Sequence, residues 1–109
     1  MVSDQNMISE LITEARADEV GLWLIIAKLR DACGITEPTK LRAATLDFVC
    51  KFLDSGQVVA GYYRPDGSGI AIWDMPTGDV ISRISDEWHG LGREPNIGDI
   101  VIFVGKPRA

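Results

Sequence analysis

The chain has 109 residues, of which 46% are hydrophobic and 25% are charged, and its formal net charge at pH 7 is −5. This length fits one domain over residues 1–109, and the composition is that of an ordinary globular protein and excludes a disordered chain. The longest apolar run, Val20 to Ala27, is too short to cross a bilayer, and residues 1–10 lack the pattern of a signal peptide. We therefore expect a cytoplasmic protein that does not contact a membrane.

Three helical patterns fill the first half of the chain. Ser3 is placed to cap a first helix whose apolar residues recur on one helical face. These residues are Met7, Ile8, Leu11, Ile12 and Ala15. A second helix is predicted from Asp18, as its N-cap, to Gly34, and because it is apolar on nearly all sides we expect it to be the central element. A third helix begins near Glu37 and ends at Gly56, a residue suited to the left-handed conformation that follows a helix. Its predicted inward row is Leu41, Thr45, Phe48 and Phe52.

A β-hairpin follows the third helix directly. Residues Gln57 to Tyr63 are rich in strand-forming side chains, and Arg64 to Gly69 contains proline, aspartate and glycine suited to a tight turn. The returning strand is predicted from Ile70 to Trp73. Within this hairpin, alternation along the strand sends one of the neighbours Tyr62 and Tyr63 inward and the other outward.

A fourth helix and a final strand complete the pattern. Thr77 or Asp74 is the predicted cap of the helix, and the glycines at 90 and 92 are predicted to end it. After a turn, Asp99 to Val104 is apolar enough to be a strand buried on both faces, which we place beside the hairpin and under the fourth helix. Residues 105–109 are expected to fray. The predicted fold class is therefore α+β, with three N-terminal helices, a hairpin wing, a fourth helix and a last strand in a winged-helix-like layout.

No residue pattern in the chain indicates catalysis, a metal site or a cofactor. His89 is the single histidine, and no cysteine or second histidine stands near it at metal-ligand spacing. Cys33 and Cys50 have apolar neighbours and are interpreted as small buried side chains, not as a disulfide. We expect a protein that is not an enzyme and that binds no cofactor.

The acidic residues are concentrated in the last third of the chain. Residues 74–99 contain six acidic and two basic side chains, a net charge of −4. Several of them lie around one helix end and one turn, so they are predicted to form a patch that binds a protein partner or a second copy of the chain. The predicted protein-binding residues are Asp86, Glu87, His89, Arg93, Glu94 and Asp99, together with Tyr63 on the wing, where an exposed aromatic ring suits an interface.

The alternative function is DNA binding by a dimeric transcriptional regulator. The third helix would enter the major groove and the hairpin would contact the backbone. The candidate contacts are Lys40, Arg42, Lys51 and Arg64. Four acidic residues on the same elements offset these four basic ones, which disfavours a nucleic-acid partner because such affinity rests largely on phosphate neutralisation.

Short sequence motifs from Trp23 onward resemble those of a group of small uncharacterised bacterial proteins. The motifs are Thr45-Leu46 with Gly56, Val59-Ala60-Gly61, Glu87-Trp88, Leu91-Gly92-Arg93 and Pro95-Asn96-Ile97-Gly98-Asp99. Residues 3–73 are also similar in layout to winged-helix domains. The resemblance implies a fold and no reaction. By analogy of size and charge, an immunity protein that neutralises a basic toxin is a third interpretation.

Overall fold

The computed structural model describes residues 4–106, and in that part the chain forms four helices and four strands. The helices are α1 (Asp4–Ala17), α2 (Leu22–Asp31), α3 (Pro38–Asp54) and α4 (Thr77–Leu91), and the strands are β1 (Glu19–Gly21), β2 (Val58–Tyr63), β3 (Ile70–Ile72) and β4 (Ile102–Gly105). The predicted α+β class is confirmed, and the order of helices, hairpin and final strand is compatible with a winged-helix-like layout. The predicted cap Ser3 lies outside the described residues.

The four strands form one antiparallel sheet in the order β1-β4-β2-β3. The final strand lies beside the hairpin as predicted, but the helix that packs against it is α1, whereas α4 packs against α3. The strand begins at Ile102, three residues later than predicted, and ends at Gly105, one residue later than predicted. Gly105 pairs with Val58, and the amide of Lys106 donates to the carbonyl of Gln57, so Gly105 and Lys106 are ordered where fraying was expected. The rest of that prediction, residues 107–109, lies outside the described residues.

Helix α3 occupies the centre of the molecule, because it contacts α1, α2, α4 and β2. Its start follows the sequence pattern: the Glu37 carboxylate accepts hydrogen bonds from the amides of Thr39 and Lys40, and Pro38 fills a first-turn position that needs no N–H donor. The predicted inward row of Leu41, Thr45, Phe48 and Phe52 is buried. The ring of Phe52 meets that of Phe103 in β4 edge-on, with 5.5 Å between centroids.

The prediction of a second helix starting at Asp18 was wrong. Residues 19–21 form strand β1 instead, since they pair with residues 102–104 of β4, and the cap of α2 is Gly21 in an extended conformation. The helix ends at Asp31 and is buried along one side only, so it is not the central element. Its buried residues are Leu22, Ile25, Ile26 and Leu29. Strand pairing across a long sequence separation overrode the local helical pattern.

Helix α4 begins after Pro76, and neither predicted cap acts as one, since Thr77 is the first helical residue and no side chain caps the helix. At the other end, Gly92 adopts a φ of 66° and ends the helix, as predicted, while Gly90 remains helical. The buried row of α4 is Val80, Ile84 and Trp88.

The two faces of the sheet differ in what they contact. Val20, Ala60 and Phe103 lie side by side on the inner face and belong to the hydrophobic core. The opposite face, which we call the outer face, carries apolar side chains that pair across the strands. They are Val59, Tyr63, Ile70, Ile72, Ile102 and Val104. Tyr63 is 43% exposed and Ile72 is 40% exposed. Strand β4 is buried on both faces at Ile102 and Phe103, as predicted, whereas Val104 on the outer face is half-buried.

Replacing side chains on the two faces of β4 should have unequal effects on stability. Phe103→Ala is expected to lower the free energy of unfolding by about 3–5 kcal/mol, because it removes a fully buried ring from the contact with α3. Val104→Ala, one residue away on the outer face, should cost about 1 kcal/mol. Urea denaturation of both variants measures the difference, and equal losses would contradict the deeper burial of Phe103.

Candidate functional site

A cleft with a volume of about 630 Å³ lies between the first turn of α3 and the last turn of α4, and it is open to solvent on one side. The loop that follows α4 forms its far wall. The cleft is lined by Pro38, Thr39, Leu41, Arg42, Trp88, His89, Gly92, Arg93 and Glu94. Leu41 and Trp88 are buried and form an apolar floor, while the charged side chains stand at the rim.

The first turn of α3 is held in place by Glu37. Hydrogen bonds from the backbone amides of Lys40 and Thr39 hold the pKa of the Glu37 carboxyl below its usual value. Since this carboxylate already satisfies those two amides, the end of the helix offers the cleft a fixed wall and not an unoccupied pair of N–H donors.

The loop after α4 is fixed by Asp99. Its carboxylate accepts a hydrogen bond from Arg93 Nη1 at 2.7 Å and another from the amide of Asn96 at 2.8 Å. These two contacts, the arginine first, hold the pKa of Asp99 below its usual value. The hydroxyl of Tyr62 donates to the carbonyl of Gly98 and attaches the same loop to β2. The far wall of the cleft is therefore held by side chains from two directions.

An ion pair joins this loop to the end of α2. Arg30 Nη1 lies 2.7 Å from Glu94 Oε2, and the hydrogen bond and charge of Glu94 raise the pKa of Arg30. On α4, Arg83 pairs with Glu87 at 2.8 Å. Most carboxylates of the predicted acidic patch therefore have arginine partners. Within residues 4–106, Asp86 is the patch carboxylate without an ion-pair partner.

Arg42 connects α3 to α4 at the edge of the cleft. Its Nη2 donates to the backbone carbonyl of Ser85 at 2.8 Å and lies 3.1 Å from the Ser85 hydroxyl. The guanidinium carbon lies 5.6 Å from the centroid of the Trp88 ring, a distance at which a cation and an aromatic ring attract each other.

The structure brings only part of the predicted protein-binding set together. His89, Arg93 and Glu94 line the cleft, and Asp99 lies behind them as the partner of Arg93. The remaining three do not line it. Asp86 and Glu87 are exposed on α4, and Tyr63 lies on the outer face of the sheet, where its hydroxyl donates to Glu19. That hydrogen bond raises the pKa of Tyr63 to about 12.

The four residues predicted for DNA contact do not act as one set. Arg42 turns toward α4, and Lys51 lies 3.1 Å from the carboxylate of Asp47 one turn away. Lys40 and Arg64 are exposed, on α3 and in the hairpin turn respectively.

The cysteines differ from each other and do not form a disulfide. Cys33 is exposed, which corrects the prediction that it is buried, because α2 ends before it. Cys50 is half-buried, and burial followed by the charge of Asp54 raises the pKa of its thiol. In residues 4–106, no group of three or more His, Cys, Asp or Glu side chains is arranged to hold a metal ion. No helix in the same range is long and apolar enough to span a membrane.

The apolar floor of the cleft and the role of Arg42 were not predicted from the sequence. Leu41 and Trp88 were each recognisable as apolar positions on a helical face. They are more than forty residues apart in the sequence, however, and no local pattern predicts the contact between α3 and α4 that brings them together. The same contact places Arg42 at the cleft, where its side chain donates to Ser85 of α4.

Comparisons of the chain with protein-family models, with curated proteins and with solved structures found no match.

The contact between Arg93 and Asp99 lowers the pKa of Asp99, and this shift can be tested by titration. Because the pKa of Asp99 is lowered in the folded protein, its stabilising effect is present above the unfolded pKa and is lost as the pH falls through the folded pKa. Arg93→Gln should therefore raise the Asp99 pKa, as followed by NMR of the side-chain carboxyl carbon. Arg83→Gln, which breaks the pair with Glu87 and the contact with the Trp73 ring but keeps the pair of Arg93 with Asp99, is the matched control and should leave the Asp99 pKa unchanged. An Asp99 pKa that is the same in all three proteins would contradict the proposed wall of the cleft.

Proposed function

We propose that this chain is a non-catalytic protein-interaction module of winged-helix type that holds a segment of a partner protein in the cleft between α3 and α4. The observation that supports this function most is the combination of a buried apolar floor, formed by Leu41 and Trp88, with a rim of charged side chains. Protein interfaces have this arrangement of an apolar centre and a polar edge, and tryptophan and arginine are enriched at their most important positions.

The rigidity of the cleft also supports binding. Its near wall is a capped helix start, and its far wall is a loop held by Arg93 with Asp99 and by Arg30 with Glu94. A site whose walls are fixed before the partner arrives loses less conformational entropy on binding than a flexible one.

A catalytic function has less support from the same residues. Within residues 4–106 no hydrogen bond joins the ring of His89 to a carboxylate or a hydroxyl group, the pairing by which a nucleophile or a general base is usually activated.

The acidic patch enters this proposal in a modified form. Three of its carboxylates, Glu87, Glu94 and Asp99, are paired with arginines, so they offer less charge to a basic partner than their number suggests. In this proposal, Glu94 and Asp99 shape the rim of the cleft through their arginine partners. An immunity protein for a basic toxin would need unpaired acidic groups, and Asp86 is the one carboxylate of the patch that meets this need within the described residues.

A cleft-filling substitution tests the proposal. Peptides are first selected against the native protein from a random display library, and their affinities are then measured for two tryptophan variants. Thr39→Trp puts a large ring on an exposed position that lines the cleft and should weaken binding at least about tenfold, equivalent to about 1.4 kcal/mol. Ala71→Trp adds the same ring to an exposed position on β3 and should leave the affinities unchanged.

Other outcomes of this selection point elsewhere. Selected peptides that bind both variants equally, and that shift the NMR signals of Tyr63 and Ile72, would place the interface on the outer face and contradict the cleft. A random-sequence DNA duplex is titrated in parallel at low and at physiological salt. Binding that weakens steeply with salt would favour the nucleic-acid alternative through Lys40 and Arg64.

A further inference from the structure

Arg42 differs from the other arginines of the elements around the cleft. Each of those has a carboxylate partner: Arg30 with Glu94, Arg83 with Glu87 and Arg93 with Asp99. Their side chains are 38–49% exposed. Arg42 is half-buried, and within residues 4–106 it has no carboxylate partner. Burial of a charge is unfavourable without a counter-ion, so Arg42 is the arginine of this group whose charge is least compensated.

The hydrogen bonds of Arg42 leave part of its guanidinium available. Its Nη2 contacts the carbonyl and the hydroxyl of Ser85, while Nε and Nη1 have no acceptor within the described residues. The guanidinium presents its donors in a rigid plane that matches the two oxygens of a carboxylate. Ser85 and Trp88 hold this plane in position, so a carboxylate in the cleft would meet donors that are already oriented.

An apolar surface lies directly beside these donors. The Trp88 ring is 5.6 Å from the guanidinium carbon, and Leu41 is the neighbour of Arg42 in the chain. A group that fits both features carries a carboxylate and a large apolar side chain close together.

The charge of the whole molecule restricts which anion is suitable. With a net charge of −5, the protein repels polyanions such as nucleic acid at long range. This repulsion is much weaker for a single carboxylate, and salt screens it beyond about 8 Å under physiological conditions. A contact inside a partly buried cleft is screened far less. One carboxylate therefore suits the cleft better than a chain of phosphates.

We infer that the cleft binds a peptide segment in which a carboxylate side chain stands next to a large apolar side chain. Arg42 receives the carboxylate, and Leu41 and Trp88 contact the apolar group. The inference rests on the proposed function, since it specifies the chemistry of the partner that the cleft holds.

A pair of matched peptides tests this chemistry. The probes are the acetylated and amidated pentapeptides GFDFG and GFNFG, which differ by one charge and have nearly the same shape. NMR titration of the native protein should show GFDFG binding about tenfold more tightly, with shifts of the Trp88 indole N–H signal. In the Arg42→Gln variant the two peptides should bind equally. Arg83→Gln is the matched control, because Arg83 also lies over a tryptophan, 3.8 Å from the centroid of the Trp73 ring, but outside the cleft.

Whether GFDFG binds more tightly than GFNFG is decided with the native protein, so the test does not depend on Arg42→Gln being folded. If that variant fails to fold, Arg42→Lys replaces it. Arg42→Lys keeps the positive charge and should retain part of the preference for GFDFG. Equal binding of GFDFG and GFNFG would overturn the carboxylate inference and leave the proposed function standing on the library selection. Failure of both peptides to bind would also overturn the inference. Tighter binding of 3-phenylpropanoate than of GFDFG would replace the peptide with a small organic acid and overturn the inferred partner.

Discussion

The packing of α3 against the sheet is the contact on which the rest of the molecule depends. One buried row of α3 reaches from Leu41 at its first turn to Phe52, whose ring meets Phe103 in a central strand. Helices α1, α2 and α4 all contact α3, so its position fixes theirs. The cleft depends on the same row, because Leu41 is both the first residue of the row and part of the cleft floor.

The charges of the molecule are arranged differently from what their order in the chain indicates. An acidic stretch looks like an attractive surface for a basic partner, yet the fold brings Arg30, Arg83 and Arg93 to three of its carboxylates. Exposed ion pairs of this kind contribute little to stability, but they decide which charges remain for a partner. In this protein the charge that remains at the cleft belongs to Arg42, a cation in a chain whose net charge is negative.

The features that the sequence predicted well are those with a local cause. The limits of α3 follow from Glu37, Pro38 and Gly56, and the hairpin follows from its turn residues, so each needs no knowledge of distant parts of the chain. Strand β1 was mistaken for a helix start because residues 19–21 become a strand only by pairing with β4, about eighty positions later. The same limit applies to the site. His89, Arg93 and Glu94 were recognised as neighbours because they are close in sequence, whereas Arg42, Leu41 and Trp88 meet only through the packing of α3 on α4.

The position of β4 has a consequence for how the protein is made. This strand follows every other described element in the chain, yet it lies in the interior of the sheet and joins β1 to the hairpin. During translation, the segments that form the four described helices and the other three strands are therefore synthesised before β4, which joins β1 to the hairpin. Until β4 has emerged, β1 and β2 each have an unpaired edge, and the inner surface that Phe103 will fill is open to water. The complete sheet can therefore form only after residues 102–105 have been synthesised.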